Sequence, residues 1–140
     1  MLLPDVNVWF AMAFDSHVHH PAAKAWFDAL VAETACFCRM TQQGFLRLAT
    51  NPKVAGPHAL TLTEAWQAYD ALLGDPRIAF ADEPARLEPH WRGFAHGSTF
   101  SPNVWNDAYL AAFAVAGGHA LVTFDKGFVR YPGLTAMLLS

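Results

Sequence analysis

The stretch LLPDVNVWF, residues 2–10, decides how the rest of the chain is read. Two leucines run into a proline and an aspartate, and the chain turns apolar again after Asn7. LLPDV reads as a short buried strand whose carboxyl end lies near Asp5. NVWFAMAF (7–14) then reads as a short helix, with Asn7 as its N-cap. A buried strand needs no carboxylate at its end. Asp5 therefore either caps the following helix or faces other polar groups in space.

The pattern of strand followed by helix recurs along the chain. TACFCRM (34–40), RIAFAD (77–82), HALVTFD (119–125) and LTAMLL (134–139) read as further strands, apolar enough for burial on both faces. Between them, PAAKAWFDALVAE (21–33), TQQGFLRLAT (41–50), TLTEAWQAYDALLGD (61–75) and SPNVWNDAYLAAFAVAGG (101–118) read as helices. Thr63 is an N-cap for the third of these, and Gly74 and the Gly117-Gly118 pair are stops. ARLEPHWRGFAHG (85–97) has a helical pattern interrupted by Pro89. Alternation of this kind predicts an α/β protein with a central, mainly parallel sheet of about five strands joined by right-handed crossovers.

Composition narrows the function. At 140 residues the chain is expected to form one domain spanning residues 1–140, with no linker dividing it. It is 54% hydrophobic and 15% charged, which excludes a disordered or highly charged tail. No apolar run reaches the roughly 18 residues of a membrane span, and no secretory signal precedes the first strand, so a cytoplasmic location is expected. The net charge of −3 and scattered basic residues argue against a bulk electrostatic grip on nucleic acid. They leave room for an enzyme whose carboxylates hold cations. Cys36 and Cys38 form no disulfide framework and read as core thiols on one face of their strand.

Three carboxylates carry the chemistry. In an open parallel sheet, sites form outside the carboxyl ends of strands where the strand order reverses. Asp5 ends the first strand, Asp125 follows the fourth, and Asp107 lies in the first turns of the helix leading into the fourth. If the first and fourth strands are neighbours, the three converge on one rim. Together they would repel unless cations neutralised them, and oxygen donors suit Mg²⁺ or Mn²⁺. Such ions acidify bound water and stabilise charge developing on a phosphodiester. Singly, each residue also has a structural reading: Asp5 as a cap, Asp107 against a helix N-terminus, Asp125 as a turn former.

Four stretches, LLPDVNVW (2–9), TQQGFLRLATNP (41–52), NDAYLAAFA (106–114) and LVTFDKGF (121–128), resemble the PIN-domain family, and within it the VapC-type ribonuclease toxins of bacterial toxin–antitoxin pairs. The resemblance implies a three-layer α/β/α domain and an Mg²⁺- or Mn²⁺-dependent endoribonuclease, cleaving RNA by metal-activated water, with Asp5, Asp107 and Asp125 as the acidic site. It implies supporting roles for Asn7 and Thr123. It also implies a homodimer and a VapB-like antitoxin bound near the active site, with Trp9, Phe10, Met12 and Phe14 either as apolar surface for these contacts or in part as core. The family usually places a Glu early in the helix after the second strand, where this chain has Gln43, or Gln42 as the near alternative. An amide offers a carbonyl oxygen without negative charge. The competing function is therefore a catalytically weakened RNA-binding or interaction module.

The remaining polar residues are less specific. Arg47 and Lys126 could flank the rim and hold RNA phosphates, as could Arg92 and Arg130; all four also read as solvated surface charge. His17, His19 and His20 cluster in DSHVHH without the partners of a metal site and read as loop histidines, one of which could approach the rim. The five tryptophans fall mostly at apolar helical positions, with Trp105 the exception because Asp107 follows two residues on. An aspartyl-phosphate phosphatase would want a second aspartate where Asn7 stands.

Overall fold

Leu2 and Leu3 point into different hydrophobic cores, and that alternation runs through the sheet. The computed structural model describes residues 1–140. The strands β1 (Leu2–Pro4), β2 (Ala35–Phe37), β3 (Ile78–Phe80), β4 (Ala120–Thr123) and β5 (Ala136–Leu138) lie in the order β3-β2-β1-β4-β5, and every neighbouring pair is parallel. Seven helices accompany them: α1 (Val6–Ala13), α2 (His20–Asp28), α3 (Arg39–Ala49), α4 (Pro52–Ala55), α5 (Leu62–Leu73), α6 (Leu87–Phe94) and α7 (Val104–Gly117).

On one face, Leu2, Ala35, Phe37 and Val122 pack with Trp9 of α1, Phe27 of α2, Phe45 of α3 and Tyr69 of α5. The Trp9 and Phe37 rings stack with centroids 3.8 Å apart. On the other face, Leu3, Cys36 and Leu121 pack with Leu87 of α6 and with Leu110 and Phe113 of α7. The expected three layers follow directly. Cys36 and Cys38 are both buried in this second core, and burial pushes the Cys36 thiol up to about 11. They are core thiols.

The chain runs outward from β1 to β2 and β3, then crosses by way of α6 and α7 to β4 on the far side of β1. The order reverses between β1 and β4, whose register pairs Pro4 with Val122. The residues just beyond, Asp5 and Thr123–Asp125, therefore meet at the carboxyl edge of the sheet.

Several local expectations are corrected. Asp5, not Asn7, caps α1, because β1 ends at Pro4 and Asp5 is the single extended residue left before the helix. Thr61, not Thr63, caps α5, since Glu64 three residues on closes a reciprocal capping box with it. Pro89 falls in the first turn of α6, where a missing N–H is tolerated. Trp9, Phe10, Met12 and Phe14 are all buried, so α1 supplies core and not apolar contact surface.

Candidate active site

The Asp5 carboxylate is built into the fold by three hydrogen bonds. Its Oδ1 accepts from the backbone N–H groups of Asn7 (3.0 Å) and Val8 (3.2 Å). Its Oδ2 accepts from the Thr123 hydroxyl at 2.5 Å. Asp5 is only 7% exposed. Burial raises its carboxyl above the usual carboxylate range, and the nearby Asp125 adds to the rise, while the Thr123 hydroxyl and the two N–H groups oppose it. The capping role and the functional position belong to the same side chain.

Thr123 ties the Asp5 carboxylate to the backbone of Asp125. Its Oγ1 donates to Asp5 and accepts from the backbone N–H of Asp125 at 2.9 Å. Asp125 in turn starts the 3₁₀ turn Lys126–Arg130, with Oδ1 accepting from Gly127 N–H at 2.8 Å. A Cβ at position 127 would stand 3.0 Å from that oxygen, which explains a glycine there.

Asp107 approaches from the first turn of α7 and is partly exposed. Burial and Asp125 raise its carboxyl, and Arg130 opposes the rise with its guanidinium nitrogen 3.9 Å away. Arg130 donates to the Tyr131 hydroxyl at 2.7 Å and lies over the Tyr131 ring.

All three aspartates line one cleft of about 310 Å³, with Asn7, Gln43, Arg47 and Asn106 among its other walls. The structure separates the two glutamines. Gln43 faces the cleft, whereas Gln42 is buried and accepts from Arg39 at 2.6 Å. Gly44 sets this phase: a Cβ there would stand 2.5 Å from Val6 Cγ2, so α3 comes against the start of α1 only without one. Lys126 is exposed and outside the cleft lining; Arg47 is within it. Asn106 went unnoticed in the sequence, although its place beside Asp107 was a usable signal.

The histidines do not join the cleft. His20 Nδ1 lies 2.8 Å from the Ala11 carbonyl, and His19 stacks on Phe124. His19 therefore abuts the segment between Thr123 and Asp125.

The profile of the PIN domain matches residues 2–134. The chain belongs to the PIN-domain family, among its VapC members. It is 50% identical to the Mycobacterium tuberculosis protein named Ribonuclease VapC41, over 100% of this chain and 99% of that one. Among solved structures, VapBC2 of Rickettsia felis bound to a promoter DNA fragment superposes with a TM-score of 0.71 at 16% identity, covering 99% of this chain and 98% of that chain. VapC20 of Mycobacterium tuberculosis, described as a sarcin–ricin loop cleaving toxin, superposes with a TM-score of 0.65 at 15% identity, covering 96% of this chain and 98% of that one.

In this PIN domain the carboxylates share a cleft but do not form a closed cage. No three His, Cys, Asp or Glu side chains gather tightly enough to enclose an ion by themselves. An open, all-oxygen donor set suits a hydrated hard cation such as Mg²⁺, which keeps several waters and needs one or two carboxylates. Burial is the main cause that raises the Asp5 and Asp107 carboxyls, and the charge of Asp125 adds a smaller part that a cation between them would relieve.

Proposed function

We propose that this PIN domain is an Mg²⁺- or Mn²⁺-dependent endoribonuclease, acting in the cytoplasm as the toxin of a type II toxin–antitoxin pair. The carrying observation is that Asp5, Asp107 and Asp125 line one cleft at the β1–β4 edge. Full-length identity of 50% to a protein named Ribonuclease VapC41 supports the reaction class.

Asp5, Asp107 and Asp125 would hold the cation, with the Gln43 amide oxygen as a neutral fourth donor. When bound, the ion supplies Lewis acidity toward the phosphodiester oxygens and acidifies water. Thr123 keeps Asp5 and Asp125 in register through its two hydrogen bonds. Arg47 on the cleft wall meets the RNA backbone as a counter-charge, and exposed Asn7 orients a ligand or water. Lys126 contributes at the periphery. The Rickettsia felis neighbour contains VapB with VapC, and a VapB-like antitoxin near this cleft, on a homodimer, completes the proposal.

The test is cleavage of total RNA with Mn²⁺ or Mg²⁺ by the purified protein, by Asp5→Asn, and in EDTA. Discrete fragments from the wild type with metal, and from neither control, are expected. A wild type inert with every metal and RNA pool overturns the proposal. Gln43, a neutral side chain where the family usually has Glu, favours one second reading, a weakened RNA-binding module. RNA binding unchanged by EDTA, without cleavage, would identify it.

A further inference from the structure

Beside the cleft, around the first turn of α7, lies a second concave surface. A cavity of about 400 Å³ is lined by Glu88, Trp91, Arg92, Ala95, His96 and Trp105. Another of about 400 Å³ adjoins it, sharing Ala95, His96 and Trp105 and adding fully exposed Phe100. Trp105 stands between the two and is 57% exposed. Trp91 supports it: its Nε1 donates to the Trp105 backbone carbonyl at 3.0 Å, and its ring meets the Trp105 indole edge-on with centroids 6.4 Å apart. A held, exposed indole is a ready stacking surface.

We propose that Trp105 is the stacking platform of a nucleobase subsite that seats an unpaired base of the RNA substrate flanking the site of cleavage. The inference rests on the ribonuclease reading above. Three observations favour RNA over a protein partner here. Trp105 precedes Asn106 and Asp107 on the same helical turn, and both of those line the acidic cleft. Trp105 and Asp107, two residues apart, project to opposite sides of that turn, so the subsite is reached by a chain that leaves the cleft around the end of α7. The cavity rim is polar, with His96 and an Arg92 that uses only its Nε in pairing with Glu88. Its other guanidinium donors remain available to a base edge or phosphate. An indole face also accepts any base, whereas the acidic cleft carries no element that selects one.

The test uses a short RNA taken around a site that the wild type cuts in total RNA. Base–aromatic stacking predicts that Trp105→Ala lowers kcat/KM by about 5- to 150-fold, chiefly through KM, and that Trp105→Phe retains most activity. The same RNA is then made with an abasic nucleotide at each position flanking the cut. One position should cost the wild type a similar factor, and the Trp105→Ala protein no further loss. Additive losses, or unchanged cleavage by Trp105→Ala, overturn the subsite while leaving the nuclease intact. So does a loss that follows a change in sedimentation, which marks a protein interface. If Trp105→Ala does not fold, the wild-type abasic series decides: no sensitive position overturns the subsite. If the wild type cuts no RNA, the ribonuclease reading fails separately. Photocrosslinking of short random-sequence RNA carrying 5-iodouridine then decides, with adducts on Trp105 expected and adducts confined elsewhere, or none, overturning it.

Discussion

The two sides of the acidic cleft are constructed differently. On the strand side, Asp5 is buried and takes three hydrogen bonds, and Thr123 joins it to Asp125. On the helix side, Asp107 is partly exposed, with Arg130 at 3.9 Å. Asp5 is a piece of the core that carries charge, and through Thr123 it anchors Asp125, which is itself exposed. The helix side is surface brought near by the packing of α7. A buried carboxylate held by donors keeps its geometry but is harder to ionise, whereas an exposed one is adjustable and costs the fold little.

The sharpest way to break the comparison is catalytic. Asp5→Asn preserves shape and removes charge, and the initial rate of RNA cleavage should fall by about a hundredfold or more. Asp125→Asn should do the same. The two sides should then diverge in stability. Thr123→Val strips a donor from Asp5 and an acceptor from the Asp125 N–H, and should lower unfolding free energy by about 1–3 kcal/mol in urea titrations. Asp107→Asn should stay within about 0.5 kcal/mol. Equal losses for the two would show that the sides are alike after all.

The pH dependence sharpens the same contrast. The Asp5 carboxyl is held above its ordinary value in the fold. Such an acid contributes stability that is fully present below its unfolded pKa, near 3.9, and lost as pH rises through the higher folded value. Metal-free protein should therefore lose stability from about pH 4 upward through that window. Asp5→Asn should flatten the slope more than Asp107→Asn, because Asp107 is the more solvated. Denaturation at a series of pH values in EDTA measures this. The smallest effect is on the α3 wall: Gln43→Glu should tighten Mn²⁺ binding several-fold, seen as a larger Mn²⁺-dependent rise in melting temperature. No change would remove Gln43 from the donor set.

Much of this was legible from local pattern. Short apolar runs separated by helical periods imply a parallel sheet, and an aspartate at the end of such a run lies at the sheet's carboxyl edge. That is why Asp5 and Asp125 stood out before any coordinates. Thr123 stood out as well, as a residue that either hydrogen-bonds within the site or is an ordinary strand residue; the first holds, with Asp5 and the Asp125 N–H as partners. Of the two readings of the α1 apolar residues, core is the one the packing selects, because Phe10 and Phe14 pack with Ala49, Ala55 and Ala65 in a separate small cluster. The C-terminal end of α2 was placed too far along, since helical propensity continues past Asp28 although Val31 is 94% exposed with nothing to pack against.

By itself the sequence determined the fold class and put Asp5 and Asp125 at strand ends, because periodicity and the ends of buried strands are local properties; the three layers and the place of Asp107 in the site followed from the family resemblance. Tertiary structure alone decided which glutamine faces the cleft, and that Asp5 both caps α1 and bonds Thr123. It also decided that Arg130, not Lys126, lies near Asp107. Each of these depends on the rotation of one element against another, set by contacts as specific as Gly44 against Val6, and no single segment encodes that angle.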